Sequence, residues 1–199
     1  MQVEWKSFEL DPNFEPVPGE SIHLSLAKKK GVSEAEGRRM NDYMTNMAQE
    51  VGLAYQFEKA IPANTFLAHQ LIHFGAAQGR QDATKERLFA AYYLEGQDLN
   101  NPDTLVQLAQ EINLDPTAAR QALEAGTYAN AVRRDEYEAQ QVGVRGVPFF
   151  VFDDKYAVSG AQPSEVFAEV LAKVWAEEHP RPQPAVVADG AACDLDGNC

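Results

Sequence analysis

The apolar positions of this chain change their period twice. Residues 3–10, VEWKSFEL, alternate loosely between apolar and polar, which suits a strand with one covered face. After the loop DPNFEPVPGES the spacing shifts to threes and fours. Ser33 and Glu36 form a capping-box pattern, and Met40, Met44, Met47 and Val51 then recur at four, three and four residues before Gly52 stops the helix. The stripe reads as helical core, with an adaptable groove for unfolded polypeptide as the alternative, because methionine fits irregular partners. Residues 64–78 continue with Leu67, Leu71 and Phe74 on one face, and residues 84–95 with Leu88 and Tyr92 before Gly96. NNPDT starts another helix with Pro102 in its first turn and Leu105, Leu108, Ala109 and Ile112 as its stripe. Asp115 caps the next helix, which Gly126 ends, and Thr127 is placed to cap one running to Gly143.

From Gly146 the texture turns to β. The run VPFFVF, a turn at Asp153-Asp154 and KYAVSG predict a hairpin. The unbroken apolar residues Phe149, Phe150, Val151 and Phe152 predict a strand buried on both faces. Pro148 sits at its mouth, where a residue without a backbone N–H is tolerated. Pro163 starts a last helix with Val166, Val170, Leu171 and Val174 as a core-facing stripe. Residues 179–199 are rich in proline, alanine, glycine and aspartate and lack the apolar surface that offsets ordering, so a flexible tail is expected. The order is strand, a long helical stretch, then strand, turn, strand and helix, an α/β chain with a helical insertion.

The charge narrows the partners. Of 199 residues 30 are acidic and 17 are Lys or Arg, and the net charge of -13 repels phosphate backbones and anionic lipid, so neither nucleic acid nor a membrane surface is expected. A hydrophobic content of 45% is enough for a proper core. Glu4, Lys6 and Glu9 interrupt the N-terminus, which reads as neither signal peptide nor anchor. The only cysteines, Cys193 and Cys199, are too few for a disulfide framework and agree with a reducing, cytoplasmic setting.

The stretches GVRGVPFFVF, KYAVSGAQP and VEWKSFELDPN resemble the DsbA-like thioredoxin-fold family, in particular its FrnE-like branch, and ANTFLAHQLIHF and MAQEVGL resemble that branch's helical insertion. The resemblance spans residues 2–178. It implies an α/β thioredoxin-like domain formed by residues 1–20 and 143–178, a helical insertion over 21–142, and a tail over 179–199. It further implies a cis Pro148 facing the redox centre and a Val147 backbone open to an extended thiol substrate or glutathione. Ser159 and Gln162, in the turn after the hairpin, fall where kappa-class glutathione transferases and 2-hydroxychromene-2-carboxylate isomerases help to hold glutathione.

One departure from the family pattern matters more than these matches. Family members open with a strand and a Cys-x-x-Cys at a helix N-terminus, where the helix dipole favours the thiolate. Residues 1–199 contain no such motif. The chain is therefore expected to lack the family's first strand and first helix and to be catalytically incomplete, with a gap between VEWKSFEL and VPFFVF for another segment to fill. Self-association through that gap is one way to close it.

The tail CDLDGNC holds both thiols. By resemblance Cys193 and Cys199 are an accessory redox pair that exchanges with the main motif; otherwise they are idle thiols. Two thiols do not make a structural zinc site, and Asp194, Asp196 and Asn198 begin a calcium-loop pattern that the chain does not complete. His69 and His73 have metalloprotease spacing, but Gln70 stands where the general-base glutamate belongs, so no metal is expected. Lys28, Lys29 and Lys30 read as a solvated helix end. The expected function is thiol-disulfide exchange on protein or small-molecule thiols, without a cofactor and with glutathione as a candidate substrate. A glutathione-dependent transferase or isomerase and a non-catalytic peptide-binding or holdase module are the alternatives.

Overall fold

The computed structural model describes residues 1–180, and Cys193 and Cys199 lie outside them. Two compact units divide the chain, Met1–Arg145 and Gly146–Cys199. The first unit is helical: α1 (Ile22–Lys30), α2 (Glu34–Glu50), α3 (Phe66–Ala77), α4 (Gln81–Ala90), a π-helical turn (Ala91–Glu95), α5 (Pro102–Glu111), α6 (Pro116–Glu124) and α7 (Ala129–Val142). The second carries β1 (Phe149–Phe152), β2 (Tyr156–Ser159) and α8 (Ser164–Glu178).

Side-chain caps set the starts of four of the eight described α-helices, α1, α2, α5 and α6. Ser33 Oγ accepts from the Glu36 N–H, Asn101 Oδ1 from Asp103, and Asp115 Oδ1 from Thr117 and Ala118, with Pro102 and Pro116 opening the last two helices. The three lysines of α1 occupy its last turn, where the negative end of the helix dipole favours them. Lys28 pairs with Glu20, and Lys29 lies 3.7 Å from Asp11. The core of this unit gathers Leu71 and Phe74 of α3, Leu88 of α4, Leu105 and Leu108 of α5, and Ala119 and Leu123 of α6.

The methionine stripe is not core. Met40, Met44 and Met47 are exposed, and α2 buries Gly37, Asn41 and Ala48 instead. The cause is close approach by α1: a Cβ at position 37 would overlap the carbonyl oxygen of His23 and press on Ala27. The small-residue face wins the contact, and the methionines turn outward.

VEWKSFEL forms no strand among the described residues. Its backbone polar groups find side chains rather than a ladder. The Trp5 N–H donates to Gln81 Oε1 at 3.1 Å and its carbonyl accepts from Gln81 Nε2 at 2.8 Å; the Ser7 N–H donates to Asp135 Oδ2 at 2.8 Å and the Glu9 N–H to Glu136 Oε1 at 3.4 Å. Every second residue is thus satisfied by α4 or α7. Residues 1–20 are held within the helical unit in this way.

In the second unit β1 and β2 pair antiparallel, Phe149 opposite Ser159 and Phe152 opposite Tyr156. Asp153 and Asp154 take φ of 51° and 53° in the three-residue loop between Phe152 and Tyr156, where the Lys155 N–H donates to the Phe152 carbonyl at 3.0 Å. Phe167 of α8 packs edge-on to Phe150 with ring centroids 4.8 Å apart and lies 6.3 Å from Phe152. The Tyr156 hydroxyl donates to Glu177 at 2.6 Å, which fixes the far end of the helix. β1 is not buried on both faces: Val151 is exposed and its neighbours are half-buried, because the described sheet has only two strands. The apolar stripe of α8 likewise contains no buried residue, and Leu171 is exposed. No described helix is long and apolar enough to cross a membrane.

Candidate functional site

Two places concentrate polar chemistry, one in each unit. The first is the open end of the hairpin. The register that sets Phe149 opposite Ser159 brings the entry to β1 beside the exit from β2. The Gly160 N–H donates to the Pro148 carbonyl at 2.9 Å, and the φ of 79° at Gly160 turns the chain there. Gln162 Nε2 then donates to the Ser159 carbonyl at 3.0 Å. Pro148, Ser159 and Gln162 therefore share one end of the hairpin with Val147, whose bond to Pro148 is cis.

Val147 is 51% exposed, and among the described residues its N–H and carbonyl make no hydrogen bond. Ser159 and Gln162 are also exposed. None of these four side chains ionises near neutral pH. The site offers a main-chain donor and acceptor, a hydroxyl, an amide and an apolar side chain, which suits holding an extended backbone rather than moving a proton.

The second place lies between residues 4–9, α3 and α7. His73 Nε2 stands 3.1 Å from Ser7 Oγ and 3.2 Å from Asp135 Oδ2. The three residue types are those of a hydrolytic triad, but the geometry is not. A triad histidine uses one ring nitrogen toward serine and the other toward the carboxylate, whereas both partners meet Nε2. The cluster instead pins the N-terminal segment: Asp135 is buried, and Lys6 Nζ lies 3.6 Å from its second oxygen while bonding Glu4 at 2.9 Å. The Lys6 ammonium holds the Glu4 carboxyl below the usual carboxylate range, and Glu4 raises Lys6.

Beside this cluster Arg133 bridges Glu9 at 2.6 Å and Glu136 at 2.7 Å. Burial pushes the Glu9 carboxyl up, and the neighbouring Glu136 adds to the effect while Arg133 opposes it. His69, one turn before His73, is pushed down to about 4 by burial. Among the described residues no group of three His, Cys, Asp or Glu side chains can hold a metal ion. Sequence reasoning missed Ser7, Gln81, Asp135 and Glu136. The sole signal was that Asp135 follows Val132 by three residues, on the face α7 buries.

A hairpin entered through a proline, followed by a helix packed on its aromatic face, together with a helical unit, is the architecture of a thioredoxin-like α/β protein carrying a helical insertion. The model of the DSBA-like thioredoxin domain matches residues 1–172, and the chain belongs to that family. A probable DsbA oxidoreductase from Streptomyces coelicolor, SCO1869, is similar in structure, with a TM-score of 0.77 and 35% identity over 98% of this chain and 82% of that one. Protein YwbO of Bacillus subtilis (strain 168) is 26% identical over 174 residues, 86% of this chain and 81% of that protein.

Proposed function

We propose that this chain is a FrnE-like thiol-disulfide oxidoreductase whose hairpin end, Val147, Pro148, Ser159 and Gln162, holds the backbone of a thiol or disulfide substrate. The observation that carries the reading is that Val147, an exposed residue, makes no main-chain hydrogen bond among the described residues and stands beside the exposed Ser159 and Gln162. An extended thiol-bearing segment can pair with it as with a sheet edge. Glutathione, with its two peptide bonds, is a small substrate of the same kind.

In the exchange a thiolate attacks one sulfur of a disulfide, a mixed disulfide forms, and the other sulfur leaves as thiolate. Residues 1–199 hold Cys193 and Cys199 as their only thiols and contain no Cys-x-x-Cys. Any exchange by residues 1–199 therefore runs through that pair, and they are catalytically incomplete in lacking the family's main redox motif. The sparse cysteines fit a reducing, cytoplasmic setting.

Reduction of insulin disulfides or of glutathione disulfide by dithiothreitol, with the 199-residue chain as catalyst, tests this. Slow turnover that disappears in Cys193→Ser/Cys199→Ser, and is enhanced when a Cys-x-x-Cys segment is supplied, is expected. Turnover unchanged in the double variant would overturn the thiol mechanism.

A further inference from the structure

Apart from Met1, every methionine of the chain lies on α2, and all three stand in solvent: Met40 at 38% exposure, Met44 and Met47 at 46%. Tyr43 at 63% and Val51 at 74% extend the same stripe to the end of the helix. Met40, Tyr43 and Met44 of this stripe form one wall of an open groove of about 740 Å³. Tyr55, Phe57 and Tyr93 line it opposite, with Tyr55 and Tyr93 stacked at 4.5 Å and Phe57 edge-on to both. The π-helical turn Ala91–Glu95 lets the successive residues Tyr92 and Tyr93 both reach the groove. So large an exposed apolar surface marks an interaction site.

We propose that this face is the interface of a symmetric homodimer in which the α2 helices of two copies run antiparallel. The spacing of Met40, Met44, Met47 and Val51 is the seam by which two helices pack. Exposed Tyr43 serves as a knob beside a groove, the self-complementary pairing a two-fold interface needs. Stable interfaces bury about 800 Å² per partner, and Leu10, 67% exposed, adds to the apolar lining of the groove.

Charge decides the occupant. The chain carries -13, so two copies repel unless they meet on a surface free of like charge. Arg39, which lines the groove with Glu36 3.9 Å away, lies toward one end of α2 and Glu50 at the other; of the residues between them only Asp42 is charged, and Met40, Tyr43, Met44 and Met47 are not. An antiparallel two-fold sets each Arg39 against the second copy's Glu50, whereas a parallel pairing sets like against like. A flexible apolar client fits the groove equally well but leaves this pattern without a role.

Sedimentation velocity of the full chain across a dilution series provides the test. Twice the chain mass is expected at high concentration, falling to the chain mass in Met44→Glu/Met47→Glu with the far-UV spectrum retained. Arg39→Glu and Glu50→Arg each weaken association by about two- to fivefold, and their combination restores it. A monomer at every concentration, a dimer that survives the methionine changes, or charge reversals that fail to compensate overturns the proposal. So does a monomer that binds reduced, carboxymethylated lactalbumin through the methionine face, which assigns the groove to clients. Should the methionine variant lose its helical spectrum, the charge-reversal series carries the test alone.

Discussion

His69 sets a stability penalty that appears only as the pH falls. Its Nδ1 is buried without a hydrogen-bond partner among the described residues, and burial lowers its proton affinity from the ordinary 6.5 to about 4. The charges of Glu136 and Asp135 pull partly the other way, while His73 and Arg133 add to the depression. The unfolded chain therefore takes up the proton first. The stabilisation from keeping His69 neutral is complete above the unfolded value and is lost as the pH falls from about 6.5 through 4. The linkage relation makes this loss about 2 kcal/mol between pH 7 and pH 5, and about 3 kcal/mol once the folded state also protonates. Glu9 acts in the opposite sense, since its raised carboxyl contributes stability that is lost as pH rises. The informative quantity is thus the difference between wild type and His69→Gln, which removes the titration and keeps a polar side chain. Urea unfolding followed by helix ellipticity at pH 5, 6, 7 and 8 should give the wild type a steeper acid fall than the variant, by about 2 kcal/mol over the two lowest units. Parallel curves would refute the assignment of a neutral, desolvated His69.

Asp135→Ala strips the Ser7 N–H and His73 of their shared acceptor, so a loss of about 2–4 kcal/mol and faster proteolysis within residues 1–10 are expected in urea and limited-digestion assays. Gly37→Ala should cost about 1–3 kcal/mol by forcing α1 and α2 apart, with a thermal midpoint as the readout. Gly160→Ala places a Cβ where φ is 79°, and a cost of about 1 kcal/mol is expected alongside weaker binding of glutathione disulfide, read by calorimetry.

The legible parts of this fold are those that neighbouring residues decide. Ser33, Asn101 and Asp115 announce their helices because the capping oxygen and the N–H it serves are two or three residues apart. The hairpin turn at Asp153-Asp154 and the place of Pro148 at the mouth of β1 follow from equally local rules. Misreadings arose where distant residues decide. Periodicity groups Met40, Met44 and Met47 on one face but does not say that α1 will take the opposite face, where Gly37 permits closer contact. It marks Phe149 to Phe152 as apolar without saying how many strands flank them. Pro148, Ser159 and Gln162 come to one end of the hairpin because its own two strands pair, whereas their binding role is an expectation from the family resemblance. The grouping of Ser7, His73 and Asp135 was not legible, since they come together from three separated segments.

The backbone of residues 5, 7 and 9 is held by Gln81, Asp135 and Glu136, and this gives the two helices a part that sheets usually play. A slip of the segment by one residue would turn all three backbone groups away from their acceptors. A slip of two would restore the bonds but carry the Glu9 side chain toward Asp135, setting carboxylate against carboxylate in a buried seam. Three side chains spaced along α4 and α7 thus act as a gauge for the threading of the N-terminal segment, so its alignment is written in helical positions far from it in sequence.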